Sequence, residues 1–237
     1  MKNSWNYLVL WTLVLFVAMI VSVFLHEVGH GIGATMDGVH VSTGFNKVGM
    51  PGKTPDDPDF RMGMKLTGVW GGLLGPVTTW VLAIVFTIML YRQQKPTRTA
   101  FVIGTLAIAN GLLRALPMLM FVGWGLLGQL RMEDEVGWGI WYVTKTLLPS
   151  LSNLDMTTLV SAHASILLTF PAVWIPPLVS LALSLTCLVL AYRRIFKLDT
   201  RLSPWSAHLL LIVLSIVAWF AHSPVTNVLD RVIRINW

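Results

Sequence analysis

Two histidines four residues apart flank a glutamate in VFLHEVGHGIGA, residues 23–34, inside an otherwise apolar stretch. On a helix, positions i and i+4 share a face, so His26 and His30 can aim imidazole nitrogens at one ion with Glu27 beside them. That arrangement suits zinc, which takes neutral imidazole as a ligand and leaves a neighbouring carboxylate to act as general base on water. With six histidines and three glutamates in 237 residues, chance would produce the pattern on the order of 0.002 times. The bland alternative is a polar packing cluster in which Glu27 pairs with Arg114. An ionisable group at membrane depth is costly, and that cost favours a functional reading.

Two histidines leave a catalytic zinc short of its third protein ligand. The acidic candidates are Asp56, Asp57 and Asp59 in TPDDPDF, and Glu133, Asp134 and Glu135 in RMEDEVGWG. His40 and His163 are outsiders, whereas His208 and His222 read as packing or interfacial residues. The second acidic cluster opens a plausible helix, residues 133–148, where acids also suit the N-terminal dipole. It returns to the membrane face that carries His26 and His30, and Asp134 is the expected ligand. Asn110, Arg114 and Pro117 are spaced four and three apart and share a helical face. Asn110 is a candidate catalytic residue that would hydrogen-bond a substrate carbonyl, or else an interhelical tie. Arg114 is expected to pair with Glu27 or with the acidic cluster.

These side chains must be positioned by elements of a particular kind. Hydrophobic residues make up 55% and charged residues 12%, and the mean hydropathy is +0.69, which together indicate an all-α, polytopic membrane protein. The apolar runs predict spans at about Tyr7 to Met36, Leu66 to Tyr91, Thr99 to Leu127, Val173 to Tyr192 and Trp205 to His222. Residues 157–170 are apolar but short of the ~20 a span needs, so the expectation is five or six transmembrane helices. Residues 37–50 alternate around Gly44 and Asn46 and predict a short β-hairpin after the first helix. One integral membrane domain covers 1–237, with a core at about 5–148 and C-terminal helices at about 157–222.

Charge and side-chain type narrow the setting. The formal charge of +6 is scattered through short loops, with no aromatic-interleaved patch of the kind nucleic acid requires. By the positive-inside rule, Lys2 and the basic loops 92–98 and 193–201 are expected on the cytoplasmic side, opposite the histidines. Tyr7 to His26 is about 28 Å of helix, so the motif sits at the wet end of its span. Trp5, Trp11, Trp70, Trp138, Trp141, Trp174 and Trp205 are expected near the membrane boundaries. Gly68, Gly71, Gly72 and Gly75 on the second span face a small surface at Gly29, Gly31 and Gly33 on the first, and predict close helix packing. Cys187 is the one cysteine, which excludes an intrachain disulfide and a cysteine-based zinc site.

The motifs resemble those of the site-2 protease family of intramembrane zinc metalloproteases. The match runs through His26, Glu27 and His30, then Gly75 and Pro76, then Asn110, Pro117 and Asp134, over roughly Val23 to Gly137. The resemblance implies a strand near the site on which an extended substrate can pair. It also implies zinc as cofactor and a membrane-anchored protein substrate, in a multi-pass protein of the cell membrane. The expectation is hydrolysis of a peptide bond in or near a membrane segment. A catalytically silent protein that binds or regulates membrane partners is the alternative. A metal transporter is disfavoured by the lack of a repeat or a second ligand pair. Oligomeric state is not legible.

Overall fold

The structure, a computed structural model, describes residues 2–60, 69–154, 156–199 and 205–237. Its helices are α1 Lys2–Met36, α2 Val69–Arg92, α3 Arg98–Leu126, α4 Asp134–Thr146, α5 Met156–Ala162, α6 Ala164–Leu167, α7 Pro171–Leu198 and α8 Trp205–Val232. Five of them, α1, α2, α3, α7 and α8, are long and apolar enough to cross a membrane. Residues 157–170 fold as part of α5, α6 and their connections, too short to span, and Leu159 and Leu167 pack under α4. The expected second span begins at Leu66, and residues 66–68 lie outside the described residues. The last span runs on through Pro224 to Val232, ten residues beyond the expected end.

Local chemistry sets several of the ends. Gly38 adopts φ 72° after α1, where its N–H and that of Val39 return to the carbonyls of Thr35 and Ala34. That left-handed turn is what stops a helix otherwise apolar throughout. The Thr97 side chain accepts from the Ala100 N–H at 3.1 Å and caps α3. In α4 the acids Asp134 and Glu135 stand in the first turn and Lys145 in the last, the polarity a helix dipole favours.

Helix α3 is the central element. Of its most apolar stretch 67% is buried, against 28–39% for the other four spans. One core joins α1, α3, α7 and α8 around Leu15, Met19, Ile108, Leu112, Leu188 and Leu211. Trp11 belongs to this core at 1% exposure, packed edge-on to Phe101, rather than to an interfacial belt. A second core of Phe121, Val136, Ile140, Val143 and Val173 clamps α4 between the end of α3 and the start of α7. Outward residues such as Leu13, Val17, Val81, Val85, Val189 and Val213 remain exposed, as lipid-facing positions should.

Strands β1 Ser42–Thr43 and β2 Val48–Gly49 form the expected hairpin. A third strand, β3 Ile235–Asn236, pairs antiparallel with β1 from the far end of the chain, giving the order β2-β1-β3. The hairpin tip is held against α1 by Phe45 stacked on Phe24 at 4.6 Å. It is held against α8 by Asp230, whose Oδ1 accepts from the N–H groups of Phe45 and Asn46.

Candidate metal centre

His26 and His30 stand two to three turns before the end of α1, and of the glycines expected to pack, Gly29, Gly33 and Gly75 bring α1 and α2 together, whereas Gly72 meets nothing, Gly31 faces Trp237 and Gly68 lies outside the described residues. A Cβ on Gly29 would strike the Leu74 carbonyl, one on Gly33 the Trp70 carbonyl, and one on Gly75 the His30 ring. The close approach places hydrogen-bond partners behind both imidazoles. His30 Nδ1 is 2.6 Å from the Gly71 carbonyl oxygen, which can only accept, so Nδ1 carries the proton. His26 Nδ1 is 2.8 Å from Thr79 Oγ1, and that hydroxyl in turn donates to the Gly75 carbonyl. Both rings therefore present an unprotonated Nε2 forwards, the tautomer a metal ligand needs. Asp37 accepts from the Gly71 N–H at 2.6 Å and holds the start of α2 in this register.

Asp134, the first residue of α4, completes a triangle. Its Oδ2 lies 3.1 Å from His26 Nε2 and 3.5 Å from His30 Nε2, and the two Nε2 atoms are 3.1 Å apart. Three electron-rich atoms at such distances would suit a shared cation. Adjacent ligands on a tetrahedral zinc with ~2.0–2.1 Å bonds stand roughly 3.3–3.4 Å apart, so the triangle fits one face of that polyhedron. The group could hold a metal ion. Burial opposes the Asp134 charge, and the Arg114 guanidinium beside it favours that charge.

No family model, curated protein or solved structure matches the chain.

A relay of side chains aims Asp134. Arg114 grips Glu135 through Nε to Oε1 at 3.0 Å and through a second, short Nη2–Oε2 contact, and its Nη1 is 3.5 Å from Asp134 Oδ2. Ser180 on α7 donates to Glu135 Oε1 at 2.7 Å, and Trp80 on α2 donates to Ser180 at 3.0 Å. Four helices besides α1 thus fix one aspartate. Arg114 takes the acidic cluster and not Glu27, which removes the bland pairing considered from sequence. Thr79, Trp80 and Ser180 were not legible as site residues, because each reads as an ordinary polar or interfacial position until α2 and α7 are placed.

A cavity of about 490 Å³ opens in front of the triangle, lined by His26, Glu27, Asn46, Arg114, Glu133 and Asp134, and closed on the α8 side by Trp219, Phe220 and His222. Glu27 makes no hydrogen bond among the described residues, so its carboxylate is uncommitted. Burial pushes the Arg234 guanidinium below its usual value, while Asp230 and Glu27 act against that. Burial raises the Glu133 carboxyl to about 7, with Arg131 bonded to it at 3.2 Å.

Asn110 stands apart from this constellation. It is buried one turn before Arg114, donates to the Leu106 carbonyl of its own helix, and is not among the residues lining the cavity. The loop aspartates also serve elsewhere: Asp56 meets Arg231, Asp57 caps Thr54, and Asp59 meets Lys53. His40 bonds the Trp237 carbonyl and His208 stacks on Phe196, so neither joins the triangle.

Proposed function

We propose that the chain is a zinc-dependent endopeptidase of the site-2 protease kind, resident in the cell membrane, cleaving a membrane-anchored protein in or near its membrane segment. The observation that carries this reading is the convergence of His26 Nε2, His30 Nε2 and Asp134 Oδ2 within 3.1–3.5 Å, with both histidine tautomers set from behind. The resemblance of HEVGH, Gly75–Pro76 and Asp134 to that family points the same way. His26, His30 and Asp134 would hold the ion. Bound zinc supplies Lewis acidity and brings the pKa of water down to about 7.

The remaining work falls to the chain's own groups. Glu27, on the cavity wall and with no hydrogen bond among the described residues, takes the proton from the attacking water and passes it to the leaving amine. Arg114 stays paired with Glu135 and Asp134, so it positions the third ligand while one edge lines the cavity. Trp219 and Phe220 limit the water that reaches the peptide.

Glu27→Gln should retain one equivalent of zinc while cleavage of a membrane-anchored substrate falls by about 10²–10⁴-fold. His30→Ala should lose both. Unchanged cleavage in Glu27→Gln would falsify the hydrolase reading, and a protein with no stoichiometric zinc would favour the silent, partner-binding alternative.

A further inference from the structure

The third strand of the sheet comes from the chain's own residues 235–237, and its manner of attachment is that of a bound peptide. Ile235 and Asn236 pair with Thr43 and Ser42, and the Trp237 N–H donates to the Val41 carbonyl at 2.9 Å. The side chains of Ile235 and Asn236 are exposed, so they contribute little burial. Trp237 is the anchor: its indole lies against Gly31 and donates to Thr43 Oγ1 at 2.7 Å. Main-chain pairing along an edge with one side chain in a slot is how extended peptides add to a sheet. The slot exists because residue 31 is glycine, since the three nearest atoms to a Cβ there all belong to the Trp237 indole. Gly31 is also one turn beyond Glu27 on α1, which brings this edge beside the cavity.

We propose that residues 235–237 are a self-bound strand that closes the β1 edge in the resting chain, with Trp237 held in the Gly31–Thr43 slot. This strand must leave before an extended peptide bearing a tryptophan-like side chain can take the edge and the slot. The peptide site needs no metal; that its occupant is the segment to be cleaved rests on the hydrolase reading.

The test uses the full chain in detergent and a fluorescein-labelled peptide of residues 231–237, RVIRINW, with the same peptide ending in alanine as control. Trp237→Ala should bind RVIRINW saturably and at least tenfold more tightly than the unaltered chain, and at least tenfold more tightly than it binds the control. Adding Gly31→Ala to Trp237→Ala should remove that binding without lowering Tm, because alanine suits a helix and only the vacated slot is filled. Equal binding by the unaltered chain and Trp237→Ala, by the two peptides, or by the single and double variants overturns the proposal. If Trp237→Ala is not recovered folded, Trp237→Phe, which loses the indole donor to Thr43 but leaves the slot itself unaltered, is read by the same comparisons. Faster cleavage by Trp237→Ala is expected in addition. Peptide binding without any cleavage would sink the hydrolase reading and leave the peptide site standing.

Discussion

Two adjoining faces of one stretch of α1 are built in opposite ways. The face with His26, His30, Gly29 and Gly33 is pressed against the α2 backbone, and every imidazole nitrogen there has a defined partner. The face with Glu27 and Gly31 looks onto a cavity, a hairpin and a two-residue strand, and its carboxylate has no hydrogen bond among the described residues. The difference follows from the tasks proposed for them. Ligand atoms must be preorganised, because an ill-aimed imidazole costs metal affinity. A general base and a peptide edge must change partners during turnover, and rigid backing would oppose that.

The comparison can be broken most severely through the relay that aims Asp134. Arg114→Ala leaves Glu135, 3% exposed, without its cation. Removing one member of a buried ion pair should cost about 3–5 kcal/mol, read as a large fall in Tm together with loss of bound zinc. Next comes the α1–α2 contact. Gly33→Ala drives a Cβ into the Trp70 backbone, which cannot rotate away, and should cost about 1–3 kcal/mol by overpacking. Gly31→Ala, two residues earlier and equally helical, meets the Trp237 ring at its three nearest atoms. Its Tm should move far less than that of Gly33→Ala; an equal drop would mean the two faces are not differently built.

Thr79→Val should have the smallest structural effect. It removes one hydrogen bond behind His26, and outer-shell losses of this kind reduce metal affinity about 10–100-fold while the fold persists. Competition with a zinc chelator measures it, and unchanged affinity would show that the tautomer of His26 does not depend on Thr79.

Much of this was legible before any coordinates. HEVGH needs only helical periodicity to bring His26, Glu27 and His30 to adjacent positions, and the five spans follow from apolar runs of sufficient length. Gly29, Gly33 and Gly75 announced close packing through their spacing. Asn110 shares a face with Arg114, but a shared face says nothing of depth: one turn earlier on α3 it is buried and donates to the Leu106 carbonyl of its own helix. Trp11 misled for a related reason, since a tryptophan near the start of a span is read as interfacial until the neighbouring helices cover it.

The sequence by itself determined the pieces whose partners are close along the chain: the two histidines and their glutamate on one helical face, the membrane helices, the caps and the hairpin. Tertiary structure decided what lies far apart in sequence. Asp134 reaches His26 across 108 residues because Arg114, Ser180 and Trp80 hold the start of α4 there. Ile235 and Asn236 become a strand only because β1 offers an unpaired edge nearly two hundred residues earlier. Two residues carry no periodicity of their own, so a strand that short is specified by the edge it completes.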